Sequence, residues 1–249
     1  MKKKTLKILT LLIIAILCAS VLFACNEKDS SSGAWASITE DTKPEDIKSD
    51  IVSEEEWDAC VNLFAEQSYV QLLQESKTIS SFSCKTTFHL LDINNVSISK
   101  YTKDAFFGQT ITGSKEGYRQ AGVYLLLEKT PEGNDYTLVS MTEDGKWVKN
   151  DRLKEQMSIS LNTPIFAQYK DYFTMDNFHY DEETGAYQGI ILLKDEEEYE
   201  EQMNVELRIV ASFPVYIKVW NSDDEYDGYV EYFFYDINNT TVEVPDYEE

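Results

Sequence analysis

The sequence predicts an α+β domain, in which an antiparallel β-sheet packs against a smaller number of helices. Apolar residues recur at helical spacing from Trp57 to about Ser76, which predicts an amphipathic helix at the start of the domain. From residue 81 onwards apolar and polar residues alternate, as they do in strands with one wet face. Turns that contain glycine or asparagine separate these stretches and favour antiparallel hairpins. Residues 51–249 are therefore expected to form one domain.

The first element along the chain is a predicted signal peptide at residues 1–24. Residues 8–24 are apolar or small and carry no charge, and this stretch is shorter than the ~20 residues that a membrane-spanning helix needs. Basic residues precede it: Lys2, Lys3, Lys4 and Lys7. A basic start followed by a short apolar stretch and a small residue, Ala24, is typical of a secretory signal.

Cys25 is the predicted lipidation site. The segment Leu22-Phe23-Ala24-Cys25 resembles the lipobox of bacterial lipoproteins. This resemblance implies that diacylglycerol is attached to the Cys25 thiol and that the cysteine becomes the N-terminus after cleavage. An ordinary secretory signal with an incidental cysteine is the alternative. Two or more acyl chains hold a protein persistently, so we expect an extracytoplasmic protein anchored to the outer face of the cell membrane.

Residues 25–50 are predicted to be the lipidated cysteine and a flexible acidic tether. The stretch is polar, rich in serine and poor in apolar residues, so it has little surface to bury. A flexible chain of that length has a root-mean-square reach of about 27 Å. The domain is therefore expected to begin at residue 51 and to stand away from the membrane.

The domain itself opens with a capping box, Ser53 with Glu56, ahead of the helix. The alternating stretch Ser81–Leu91 then predicts a strand, and 105–149 an antiparallel meander. The alternation lapses in 151–173, which favours a second helical segment. More strands are predicted around 176–181, 186–194, 203–209 and 215–219. The stretch "YVEYFFYDINNTTVEVP" predicts the last two strands, on either side of Asn238-Asn239.

Two cysteines remain in the domain, Cys60 and Cys84. Both fall on apolar faces, Cys60 on the predicted helix and Cys84 on the first strand. One interpretation is a pair of buried small hydrophobic residues. The other is a disulfide between Cys60 and Cys84, which an extracytoplasmic setting permits. The sequence leaves both open, and two isolated cysteines do not predict a metal site.

The net charge of −23 limits the partners. Residues 1–24 contain four lysines and no acid, so cleavage makes the protein more acidic still. An acidic surface repels nucleic-acid phosphates and anionic lipid headgroups. We therefore expect no nucleic-acid partner, and we expect the membrane to be held through the lipid anchor.

The sequence offers little for an enzyme, and no cofactor is predicted. The two histidines, His89 and His179, lie in separate strand patterns without a hydrolase or zinc-protease motif. Asp223, Glu225 and Asp227 resemble the start of a calcium loop, but the twelfth position is Phe234 instead of a glutamate. A solvated hairpin turn is the simpler interpretation, as is a solvated connection for the acidic run 194–202.

The order of these segments carries a wider resemblance. A lipobox, an acidic stretch, "EEEWDACVNLF", a strand meander, "GKWVKND", "YFTMDNFHYDEETGAY" and C-terminal strands ending "TTVEVP" look like a large group of lipoproteins from anaerobic Gram-positive bacteria. Their architecture is similar to the LolA/LppX-type lipoprotein fold. The resemblance implies a strongly curved antiparallel sheet, or half-barrel, with the N-terminal helix and the second helical segment over its concave face.

The resulting hypothesis is a non-enzymatic protein that binds a lipid or another hydrophobic ligand in a groove of the curved sheet. In the fold it resembles, the concave face can hold acyl groups. The sequence itself adds "YVEYFFYD", a strand with aromatic residues on both faces. The alternative is a cell-surface interaction or envelope-structure protein whose groove is filled by its own helices. No ligand-contacting residue is assigned from sequence.

Overall fold

The computed structural model of the chain describes residues 33–91, 93–114, 117–130, 133–151, 172–194, 200–221 and 228–248. Within these residues the fold is a curved, open antiparallel sheet of 11 strands with two short α-helices, so the α+β class is confirmed. The predicted signal peptide and Cys25 lie outside the described residues. Most of the second predicted helical segment also lies outside them. The same is true of residues 222–227, which contain the start of the calcium-loop pattern.

The sheet consists of two meanders that meet in the middle. Its strand order is β6-β5-β4-β3-β2-β1-β11-β10-β9-β8-β7. Within each meander consecutive strands pair as hairpins, and the meanders are joined by β1 and β11, which brings the last strand beside the first. The strands are β1 (Ser81–Leu90), β2 (Ile93–Thr102), β3 (Ala105–Ser114), β4 (Gly117–Thr130), β5 (Gly133–Met141), β6 (Trp147–Lys149), β7 (Phe178–Asp181), β8 (Ala186–Lys194), β9 (Glu200–Val210), β10 (Phe213–Asn221) and β11 (Gly228–Tyr235).

The predicted N-terminal helix is two helices, α1 (Glu54–Glu66) and α2 (Tyr69–Glu75). The predicted capping box of α1 is confirmed, since the Ser53 N–H donates to Glu56 Oε2 at 2.9 Å and the Glu56 N–H donates to Ser53 Oγ at 3.3 Å. A second capping box, Ser68 with Gln71, ends the first helix and starts the next. No helix in the described part of the chain is long and apolar enough to cross a membrane.

Both helices lie on one face of the sheet, called here the helix face. The ring of Trp57 on α1 packs on Phe178 of β7 and Tyr187 of β8, with ring centroids 4.9 and 5.1 Å apart. The ring of Tyr69 on α2 packs on Tyr101 of β2 at 4.7 Å. The strand register puts these residues on the same side of the pleat. The opposite side is called the outer face.

The aromatic strand β11 occupies the centre of the sheet, where both of its faces are covered. Val230, Tyr232 and Phe234 are buried on the helix face, and Phe233 and Tyr235 are buried on the outer face. The rings of Phe233 and Tyr235 stack at 5.5 Å. A central position thus explains the rings on both sides of this strand.

Residues 33–50 pack onto the domain instead of forming a free tether. Trp35, Ile38 and Ile47 are buried in the core. The indole N–H of Trp35 donates to the Val210 carbonyl at 2.9 Å, and its ring meets Phe213 edge-on at 6.0 Å. The sequence predicted that the domain begins at residue 51, whereas the packed chain already includes residues 33–50. The polar composition of this segment concealed its packing, because three isolated apolar residues suffice to dock it.

A buried arginine fastens the same segment. Arg208 on β9 donates to the carbonyl oxygens of Ile47 and of Thr184. Its guanidinium pairs with Glu206, 2.8 Å from Nη2 to Oε1. A buried charge needs such partners, because an unpaired one would be costly.

The sequence predicted that the segment after β11 pairs with β11 as a last strand. The segment instead crosses the outer face. Asn238 anchors its start: the Ser80 N–H donates to Asn238 Oδ1 at 2.7 Å, and Nδ2 donates to the Thr78 carbonyl at 2.8 Å. Its end meets β6, where Glu248 forms a parallel bridge with Val148. Residues 236–248 are called the tail from here on.

Candidate functional site

The helix face has two zones on strands β1 to β5. One zone is a cross-strand row of large side chains at the end of the sheet near α2. It consists of Phe82, Tyr101, Phe106, Leu125 and Leu138, all buried and in register on neighbouring strands. Tyr69 covers this row, so the protein's own helix fills this end of the face.

The second zone lies further along the same strands and is built from small side chains. Its members, called here the small-residue patch, are Cys84, Thr86, Ser97, Ser99, Gly108 and Thr110. Thr86, Ser97 and Ser99 are buried although they are polar. Ser97 Oγ and Thr110 Oγ1 lie 2.9 Å apart and share a hydrogen bond across β2 and β3. Small hydroxyl-bearing residues give this zone less bulk and more polarity than the aromatic zone.

Larger residues border the patch on both sides. The ring of Phe106 lies against Gly108, where an added Cβ would stand 2.8 Å from the ring, so a larger residue there would require the ring to move. On the other side Phe88 is buried, and Asn95 lies opposite it on β2. Asn95 Oδ1 is buried without a hydrogen-bond partner among the described residues. Buried acceptors are usually satisfied, so this oxygen is suited to a donor from water or from a ligand.

Cys84 belongs to the patch but is not a nucleophile. Burial raises the pKa of its thiol to about 12, although hydrogen bonds from Thr86 and from the backbone of Phe233 oppose the shift. The thiol is therefore protonated near neutral pH, and the thiolate is the reactive form. Cys60 on α1 is also buried. Both residues lie in the described part of the chain as thiols, with no disulfide joining them.

The structure keeps the two histidines apart. His89 lies on the outer face of β1, where its ring stacks on Tyr229 at 5.4 Å. His179 is exposed on β7, five strands away in the sheet order. Among the residues that the structure describes, no three histidine, cysteine, aspartate or glutamate side chains are grouped closely enough to hold a metal ion.

Apart from Cys84, sequence reasoning did not single out the members of the patch. Ser97 and Ser99 alternate with Val96 and Ile98, and this pattern alone does not show which set faces the helices. The pairing of β1 with β2 decides it, because Cys84 and Thr86 stand opposite Ser99 and Ser97. The sequence signal that could have revealed the patch is the pair of serines, Ser97 and Ser99, in the strand that follows β1.

Comparison with models of known protein families gives no match, and no curated protein is similar enough in sequence to count as a relative.

Proposed function

We propose that the protein is a non-enzymatic, extracytoplasmic lipoprotein that binds a lipid or another hydrophobic molecule on the helix face of its sheet. In this proposal the sheet bends strongly, as a half-barrel, and the helices lie over its concave side. The ligand's apolar part lies over the small-residue patch, between the aromatic zone and Phe88. Its polar end lies beside Asn95, in the row of Phe88.

The single observation that supports this proposal is the unpartnered acceptor of Asn95 beside buried hydroxyls. Asn95 Oδ1 is buried, and Thr86 and Ser97, which stand opposite each other, form the adjacent row of the same face. An apolar site with a few polar groups at one end is the usual form of a ligand pocket. No acid of β1, β2 or β3 has its side chain on this face within the patch, so an uncharged hydrogen-bonding headgroup fits it best.

The proposed anchor at Cys25 places this domain close to the membrane. Because residues 33–50 pack onto the sheet, the sequence between the anchor and the packed chain is 25–32. Eight residues span about 28 Å at most when fully extended. The domain would thus hold its ligand near the bilayer from which a lipid is taken.

The test is a titration with a fluorescent fatty-acyl probe, comparing Ser97→Leu with Thr87→Leu. Ser97 faces the patch, whereas Thr87 on β1 points to the outer face, so it is a matched control. We expect saturable binding that depends little on salt, because the contact is apolar. Ser97→Leu should weaken it at least about tenfold, since the added side chain occupies ligand space.

The opposite result is equally clear. If the patch is filled by the protein's own side chains, Ser97→Leu overpacks it and lowers the free energy of unfolding by about 1–3 kcal/mol. That loss, together with no saturable binding to the unsubstituted protein, would overturn the ligand-binding proposal.

A second candidate function is a cell-surface interaction or envelope-structure protein. It is favoured by the aromatic zone, where Trp57, Leu72 and Tyr101 have no accessible surface. Helices that fill a face so completely leave no room for a ligand there. Native mass spectrometry of the protein from its host distinguishes the two functions, because a carrier retains a co-purified small molecule and an interaction protein does not.

A further inference from the structure

The sheet has two edges, and at one of them part of the outer strands has a single partner among the described residues. β7 pairs with β8 only from Ala186 to Gly189. Beyond that point, from Ile190 to Lys194, β8 has one described partner, β9. In this stretch the backbone N–H and C=O groups that point away from β9, on alternate residues, have no partner strand in the described part of the chain.

The reason for the short pairing lies in the chain before β7. A 3-10 turn, Met175–Asn177, precedes Phe178. The Phe178 ring lies against Gly189, and a Cβ added to this glycine would stand 2.6 Å from the ring. The preceding residues turn towards α1, since the Phe173 carbonyl accepts the indole N–H of Trp57 at 2.9 Å. The chain thus leaves the edge of β8 to dock on the helix face.

Apolar side chains flank the uncovered backbone. On the outer face Ile190 is 51% exposed and Leu192 is 45% exposed, whereas Ile191 between them is buried on the helix face. Native edge strands are normally shortened, charged or covered, and a hydrophobic open edge invites another strand. Main-chain hydrogen bonds and alternate side-chain contacts are what an added strand uses.

We propose that the edge of β8 from Ile190 to Lys194 is a docking site for an extended, basic segment of a partner protein. The charge of the surroundings selects a basic segment. The chain has a net charge of −23, and Glu200 and Glu201 stand in register with Lys194 and Leu193 at the end of this edge. A segment with alternating apolar residues and terminal lysines matches the exposed side chains of Ile190 and Leu192 and the negative net charge of the chain.

The experiment uses the full-length chain in mild detergent and a capped seven-residue peptide, Lys-Val-Thr-Val-Thr-Val-Lys. Two matched peptides serve as controls: one N-methylated on alternate amides, which cannot pair as a strand, and one with glutamate at both ends. Binding is followed through the backbone amide shifts of Ile190–Lys194. The double variant Ile190→Ser, Leu192→Ser is compared with Ile111→Ser, an exposed residue of the inner strand β3.

We expect the basic peptide to shift the edge amides, and the N-methylated and acidic peptides to bind at least about tenfold more weakly. The double variant should weaken binding by about tenfold, because it removes the apolar contacts, and Ile111→Ser should not. Equal binding of the N-methylated peptide, or equal loss from Ile111→Ser, would overturn the proposal. Dimerisation of the chain in analytical ultracentrifugation that the double variant abolishes would also overturn it, because a second copy would then be the occupant.

Discussion

The two edges of the sheet are finished in different ways. At β6 the tail returns across the outer face and covers the edge, whereas at β8 the chain turns away and leaves five residues with one described neighbour. At β6 the Lys149 N–H donates to the Glu248 carbonyl at 2.9 Å, and the Glu248 N–H donates to the Trp147 carbonyl at 3.0 Å. The backbone of the short edge strand β6 is thus better protected from solvent than the described backbone of β8 from 190 to 194.

This difference teaches that edge protection here is made by distant segments. The tail reaches β6 from β11, which is separated from it by five strands in the sheet order. The other edge depends on Trp57, whose ring holds Phe178 and Tyr187 from the helix face. In the described part of the chain no such segment reaches residues 190–194 of β8, which is where we propose that a partner docks.

The largest expected change in stability comes from replacing Trp57, which packs on β7 and β8 at one edge of the sheet. Trp57→Ala should lower the free energy of unfolding by about 3–5 kcal/mol, because it deletes a fully buried indole and leaves a cavity. Trp220→Ala, at a partly exposed position on β10, should cost clearly less. Urea unfolding followed by circular dichroism measures both. Equal losses would show that α1 does not fasten this edge.

Deleting residues 241–249 should have the next largest effect. The tail supplies two backbone hydrogen bonds to β6, each worth about 0.5–1.5 kcal/mol, so a loss of about 1–3 kcal/mol is expected. The Lys149 amide should exchange faster in the truncated chain, while the amides of β9 keep their rates. An unchanged Lys149 rate would show that the tail does not protect this edge in solution.

A smaller effect is expected from Lys146→Ala. Its ammonium lies 3.7 Å from Glu248 Oε1, and both side chains are more than half exposed. Exposed ion pairs contribute little, so the free energy of unfolding should change by less than about 0.5 kcal/mol. Thermal unfolding at low and high salt checks this. A loss as large as that of the truncation would mean that charge, instead of backbone pairing, holds the tail.

The smallest effect concerns Tyr124 on β4, beneath the tail. Burial and, secondly, the nearby Glu243 carboxylate raise the pKa of the Tyr124 phenol above its usual value. A negative neighbour disfavours the phenolate, so Glu243→Gln should lower this pKa towards the ordinary value. The measurement is an NMR titration of the ring signals at alkaline pH. A pKa that stays constant or rises in Glu243→Gln would place the tail elsewhere.

The local elements were predictable because short-range patterns determine them. The alternation of Phe82 to Leu90 identified β1, the capping box at Ser53 identified the start of α1, and the turn before β8 carries Gly185 in the left-handed region. The break between α1 and α2 was not predicted, although Ser68 and Gln71 have the spacing of a capping box inside the helical pattern.

Long-range features were not predictable from such patterns. Packing of 33–50 depends on Trp35 meeting Val210 and Phe213, which lie far along the chain. The same holds for the tail, whose alternation resembles a strand although its partner is the distant edge β6. The candidate patch depends on the register of β1 with β2, and a shift of one residue would turn Ser97 to the outer face.

Amide hydrogen exchange along both edges tests the central claim most directly. The full-length chain is measured by NMR at one pH, with the amides of Trp147–Lys149 compared with those of Ile190–Lys194. We predict slow exchange for Lys149, whose N–H is held by the tail, and fast exchange for the β8 amides that point away from β9. Equally slow exchange at all β8 positions from 190 to 194 would contradict the account, because that edge would already be covered.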